Sequence, residues 1–167
     1  LVPLRFVEAS VLMCSIRTAE SVCAGHPDKL ADQIADQILD DILYDDKAAR
    51  VAVEGMAAGR RIIVTGEITT NHRPRIRESV RTALARAGYS PLGILIYVWT
   101  RRQSSDINAG VTTSLEARGG DSSAFALQGA GDQGTVYGYA TAETPERLPL
   151  PLVLAHRICE RLDTAQV

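Results

Sequence analysis

Hydrophobic and polar positions alternate along this chain with periods that change from segment to segment. Between Pro27 and Tyr44, Leu30, Ile34, Ile38 and Ile42 recur every four residues, flanked by Ala31, Ala35, Leu39 and Leu43. This spacing predicts an amphipathic helix, with Asp32, Asp36, Asp40 and Asp41 turned mostly to water. Pro27 suits the first helical turn, where a missing N–H costs nothing, and Asp28 suits the positive end of the helix dipole. ARVAVEG (49–55) and RRIIVTGEITT (60–70) are rich in β-branched residues and predict two strands in a hairpin, joined by a short segment holding Gly55 and Gly59. A second helix is predicted from Pro74 to Ala87, with Ile76, Val80 and Leu84 on one face and Gly88 as its stop. GILIYVWT (93–100) is a short continuous apolar run after Gly93 and predicts a buried strand. From Arg101 to Gln128, Ser, Gly, Asp and Thr dominate, the composition of a long functional loop. TVYGYATAE (135–143) predicts a further strand, and Leu152 to Leu162 a third helix. Alternating strands and helices make this an α+β sandwich.

Composition narrows the classes. The chain has 167 residues, 46% hydrophobic and 23% charged, an ordinary globular balance. A net charge of −2 excludes the basic excess of a nucleic-acid binder. The arginines at 73, 75, 77, 81 and 86 fit the solvent face of the second helix. Cys14, Cys23 and Cys159 are odd in number and match no zinc spacing, which predicts a reduced, cytoplasmic protein. No apolar run approaches the about 20 residues of a membrane span. The first residues, broken by Arg5 and Glu8, do not read as a signal peptide, and Met13 could be the start of translation, with residues 1–12 lying upstream.

Three groups of residues could carry chemistry. In Gly25-His26-Pro27-Asp28-Lys29, a histidine, a carboxylate and a lysine converge on a helix N-terminus, whose free N–H groups attract phosphate and where a carboxylate can hold Mg2+. Local chemistry alone favours a plain helix start. Gly129-Ala130-Gly131-Asp132-Gln133-Gly134 matches G-x-G-x-x-G formally, but a strand is predicted downstream where the dinucleotide fingerprint needs a helix. A glycine-rich turn there could still approach an anion. Glu54 and Glu67 lie near strand ends; they read equally as cation or ammonium ligands and as solvent-facing glutamates. His72 and His156 read as surface or packing residues; Cys23, close to the helix start, reads as an oxidation-sensitive thiol or, in preference, as a buried and inert one.

Taken in order, these motifs resemble the S-adenosylmethionine synthetases. Glu20-Ser-Val-Cys-Ala-Gly-His-Pro-Asp-Lys29 with LADQIADQILD looks like the family's opening motif. GEITT (66–70), QSSDINAGV (103–111), GAGDQG (129–134) and GYATAET (138–144) resemble its later motifs, so the likeness covers residues 15–163. Either signature alone is short; the ordered set is specific. The resemblance implies a two-layer sandwich of a mixed or antiparallel sheet with helices on one face. It divides the chain into an extension (1–14), an N-terminal domain (15–113), a linker loop (114–127) and the start of a central domain (128–167). It implies attack of the methionine sulfur on the 5′ carbon of ATP, departure of the triphosphate, and its cleavage to phosphate and pyrophosphate. His26 is then the catalytic residue at the triphosphate bridge, Asp28 a Mg2+ ligand, and Glu54 the carboxylate supporting a K+ site. Glu67 and Gln103 hold methionine, Asp132 lines the adenosine and methionine pocket, and Glu20 and Lys29 belong to the same motif. Residues 103–128 resemble the gate over the site, with Ser104-Ser105-Asp106 where the family has Ser-Pro-Asp. Ala19 and Cys23 are further departures. The family works as a homodimer or tetramer and is more than twice this long. That implies a chain inactive alone, or a non-catalytic assembly module that pairs with a full-length subunit.

Overall fold

The computed structural model describes residues 16–104, 114–127 and 134–165. Its elements are α1 (Pro27–Asp45), β1 (Arg50–Ala58), β2 (Arg61–Thr69), α2 (Ile76–Arg86), β3 (Leu95–Arg101), the one-turn helices α3 (Leu115–Arg118) and α4 (Ala124–Leu127), and α5 (Leu150–Ala165). The strands form one sheet in the order β1-β2-β3. β1 and β2 are antiparallel, with Ala58 opposite Arg61, so the turn is confined to Gly59 and Arg60 and Gly55 lies inside the strand. β3 runs parallel to β2, the connection passing through α2 as a parallel neighbour requires.

The period-four stripe of α1 is fully realised. Leu30, Ile34, Ile38 and Ile42 are all buried against Ile62, Val64 and Ile68 of β2 and Ile76, Val80, Ala83 and Leu84 of α2. Each such side chain contributes roughly 1.5–3 kcal/mol on burial. Gln37 sits among them with both ends satisfied. Its amide nitrogen donates to Asp41 Oδ1 at 2.8 Å, and its oxygen accepts from Arg86 at 2.7 Å. The arginines at 73, 75, 77, 81 and 86 are exposed, as their helical spacing predicts. α2 ends in a Schellman motif: Tyr89 N–H donates to the Leu84 carbonyl and Gly88 N–H to Ala85, with Gly88 at φ 82° supplying the left-handed turn.

Helices α1 and α2 cover one face of the sheet, and the predicted α+β architecture holds. Two expectations need correction. β3 is an edge strand with one covered face: Ile96 and Val98 pack on the core, whereas Leu95, Tyr97 and Trp99 are exposed. A continuous apolar run fits two covered faces; here the second face is open. Residues 135–143 form no strand, and Val136, Tyr137 and Tyr139 are almost fully exposed. A strand needs a ladder partner, and none of the three described strands lies beside this segment. The expected second helix starts slightly later, at Ile76, and the third runs longer, from Leu150 to Ala165.

Asp46 closes α1 onto the end of β2. Its carboxylate accepts from Asn71 N–H (2.9 Å), Thr70 Oγ1 (2.9 Å) and Ala48 N–H (3.1 Å). These bonds, that from Asn71 first, hold the carboxyl below the usual carboxylate range. A carboxyl depressed on folding adds stability that is complete above the unfolded value, about 3.9 for Asp, and is lost as pH falls through the folded value. Asp46→Asn is therefore expected to lower the urea midpoint at pH 7, with a gap to wild type that narrows steadily below pH 4. A gap of equal size at pH 7 and pH 3 would show that the charge plays no part.

Candidate functional site

His26 caps α1. Its backbone is extended (φ −61°, ψ 136°) and its Nδ1 accepts from Asp28 N–H at 3.3 Å. An accepting Nδ1 leaves Nε2 as the donor of the neutral ring. Pro27 follows in the first turn, and His26, Asp28 and Lys29 are all exposed. Among the described residues the Asp28 carboxylate makes no ion pair. The arrangement is a positive helix end carrying an imidazole donor, a free carboxylate and an ammonium, which suits a polyphosphate with its counter-cation.

This end is clamped from several sides. His26 N–H donates to the Cys23 carbonyl (3.0 Å). Gln33 of α1 donates to the Ala24 carbonyl (2.8 Å), and the Tyr89 hydroxyl to the Gly25 carbonyl (2.8 Å). From α5, Asp163 accepts from Ala24 N–H (3.0 Å) and His156 Nδ1 meets Ser21 Oγ at 2.9 Å. Glu143 accepts from Leu150 N–H at the start of α5 (3.1 Å) and from Arg17 (2.6 Å). The Leu150 bond first, then Arg17, lowers its carboxyl below the ordinary value. Cys23 is half-buried; burial first, then the Cys159 and Asp163 side chains, push its thiol up.

The open face of the sheet carries the second group. Glu67 stands opposite Ala52 and Glu54 opposite Thr65, which makes the two glutamates diagonal neighbours on that face. Glu67 pairs with Arg101 at 3.0 Å; its side chain is only 15% exposed. A cleft of about 450 Å³ lined by Thr65, Gly66, Glu67, Trp99, Thr100 and Arg101 lies over the pair. Gln103 follows β3, and its side-chain oxygen is buried without a hydrogen bond among the described residues. A buried acceptor left so costs roughly 1–3 kcal/mol, so this one suits a donor brought by a ligand.

The structure thus brings His26, Asp28 and Lys29 together, and Glu54 with Glu67. No described contact joins these two groups. Glu20 stands apart, in a cleft with Arg17, Tyr139, Pro149 and Leu152. Asp132 and nearly all of Gly129–Gly134 lie outside the described residues, as do 105–113 and 128 of the expected gate. Among the described residues no three His, Cys, Asp or Glu side chains gather to hold a metal, and no helix is long and apolar enough to cross a membrane. Sequence reasoning missed Tyr89, Arg101 and Asp163, and it read His156 as a surface or packing residue without its partner Ser21. The spacing of 156, 159 and 163 puts those residues on one helical face, a signal that was available; their partners, more than a hundred residues away, gave none.

Comparison with known proteins accords with this pattern. Residues 15–107 match the model of the S-adenosylmethionine synthetase N-terminal domain, and residues 127–167 that of the central domain. An S-adenosylmethionine synthase 1 of Frankia casuarinae is 46% identical over 155 residues, covering 87% of this chain and 38% of the relative. The S-adenosylmethionine synthase of Kosmotoga olearia is 48% identical over 156 residues, covering 89% of this chain and 40% of the relative. The chain therefore spans about two fifths of the length of the relatives it matches. Ordered motifs, helix start and family match converge: the chain belongs to the S-adenosylmethionine synthetase family.

Proposed function

We propose that this chain supplies the N-terminal part of an active site that makes S-adenosylmethionine from ATP and L-methionine, releasing phosphate and pyrophosphate. The observation that carries the reading is the start of α1, where His26 caps the helix through Nδ1 and keeps Nε2 as a donor beside the free Asp28 carboxylate. When methionine sulfur attacks the 5′ carbon of ATP, negative charge grows on the departing triphosphate. A positioned N–H donor and a helix N-terminus stabilise such charge without reorganising at the moment of reaction. Glu67 and Gln103 hold methionine: the Glu67 carboxylate suits its ammonium, and the unpaired Gln103 oxygen accepts a further N–H. Asp132 lines the adenosine and methionine pocket, and Glu20 and Lys29 belong to the same site.

The donor set fits the cations the family implies. Asp28 and Glu54 are hard oxygen donors that make no ion pair among the described residues, and they would hold Mg2+ and K+ respectively. Bound there, the cations would neutralise phosphate charge. Residues 15–113 then act as the N-terminal domain and 128–167 as the start of the central one. The whole enzyme works in the cytoplasm as a homo-oligomer, in keeping with the free Cys23 and Cys159 thiols.

The test is a graft. Residues 15–163 replace the matching segment of the Kosmotoga olearia synthase, and S-adenosylmethionine formation is followed by mass spectrometry with ATP, methionine, Mg2+ and K+. The graft is expected to form product, and the 167-residue chain alone none. A folded graft without activity would overturn the reading.

The open sheet face favours a second reading, a non-catalytic module that pairs with a full-length subunit. Met56, Ile63, Leu95, Tyr97 and Trp99 form an apolar band there, with Trp99 67% exposed and its ring centroid 6.2 Å from that of Tyr97. Such a band marks an interaction surface. Trp99→Lys is expected to shift the chain toward monomer in sedimentation velocity and to weaken its co-purification with a full-length synthase. An unchanged distribution in both assays would show that the band mediates no pairing.

A further inference from the structure

The segment leading into α1 lies along one face of α5, and its contacts are regular. Ser21 meets His156, Cys23 Sγ lies 3.8 Å from the Cys159 carbonyl oxygen, and Ala24 N–H donates to Asp163 at 3.0 Å. The helix positions advance by three and four as the extended segment advances past them, so the polar contacts at 21 and 24 bracket the cysteine between them. Both cysteines are free and partly exposed. The Cys23 sulfur thus lies 3.8 Å from the backbone of the residue that carries the second thiol, and the flanking bonds to His156 and Asp163 hold the two backbones in place on either side.

We propose that Cys23 and Cys159 are a redox pair, which a small-molecule disulfide converts into a covalent latch between the segment preceding His26 and helix α5. One protein thiolate attacks the small disulfide, forming a mixed disulfide and releasing one small thiol. The second protein thiolate then attacks the protein sulfur of that mixed disulfide and expels the other small thiol. The two protein thiols are oxidised to one disulfide, the small disulfide is reduced to two thiols, and the two protons given up by the protein thiols end on those two small thiols. The latch would add a covalent bond between the approach to His26 and a helix that this segment meets through hydrogen bonds in the reduced protein. Because burial and the neighbouring Cys159 and Asp163 side chains raise the Cys23 thiol, the thiolate is scarce at neutral pH and the exchange is slow there. This favours a latch that closes under sustained oxidation over a rapid sensor.

The experiment uses the full chain, folded, incubated with oxidised glutathione at pH 8.5 and then alkylated and digested with trypsin without reduction. The expected product is peptide 18–29 (TAESVCAGHPDK) joined to peptide 158–161 (ICER), with loss of both free thiols and full recovery on reduction. Cys14→Ser should leave that product unchanged. Cys23→Ser and, separately, Cys159→Ala should abolish it while far-ultraviolet circular dichroism stays the same. Cross-links that run through Cys14, glutathione adducts that stop at Cys23, dimers only, or a Cys23–Cys159 bond that forms in denaturant but not in the native chain would each overturn the proposal.

Discussion

His26→Ala in the grafted synthase is expected to lower kcat by roughly 10²–10³-fold, the usual consequence of removing one donor aimed at developing negative charge. KM for ATP should change far less, because the ring acts on charge that appears only as the triphosphate leaves. The substitution also removes a helix cap. The Nδ1 bond to Asp28 N–H satisfies one of the free donors of α1, and losing a cap costs roughly 0.5–2 kcal/mol. The two effects separate with His26→Asn. Asparagine caps helices well and should restore the thermal midpoint, yet it leaves the Nε2 donor absent. Low kcat with normal stability in His26→Asn is thus the expected signature. Near-normal kcat in both variants would remove His26 from the chemistry and leave it as a cap.

The parts of the fold that could be read from the sequence are those fixed by neighbours in the chain. The α1 stripe was legible because Leu30, Ile34, Ile38 and Ile42 make one face by spacing alone, and each is buried. The β1–β2 hairpin was legible because its β-branched runs lie on either side of a short turn. The apolar run of β3 was misread because its residues say nothing about how many faces are covered. Residues 135–143 were misread because β propensity cannot supply a ladder partner.

The same division holds for the site. Cap, proline and acidic first turn are local, so the His26 helix start was visible before its function was. The clamp on that start was not, since Ala24 meets Asp163 across 139 residues and Gly25 meets Tyr89 across 64. The left-handed backbone of Gly66 was hidden for a different reason. In a strand pattern, a glycine between Thr65 and Glu67 looks like a weak point.

Gly66→Ala is expected to be among the most damaging single substitutions in the chain. Gly66 holds φ at 135°, a region that side chains rarely enter, and it pairs with Val53 inside the sheet. A Cβ there would lie 2.1 Å from the Ala52 carbonyl oxygen and 2.8 Å from the Val53 Cα. Both are backbone atoms of β1, so no side-chain rotation relieves the clash; the β1–β2 ladder must part. Backbone strain and overpacking together amount to roughly 2–4 kcal/mol. For a chain of this length, that lowers the thermal midpoint by roughly 4–16 °C. Thr65→Ala, on the open face, is the matched control and should move it by a small fraction of that. The same displacement turns the next residue, so Glu67 should lose its 3.0 Å contact with Arg101, and in the grafted synthase KM for methionine should rise more than KM for ATP. A Gly66→Ala midpoint equal to that of Thr65→Ala would mean that β1 can yield at Ala52 after all, and that Glu67 is not aimed by the glycine before it.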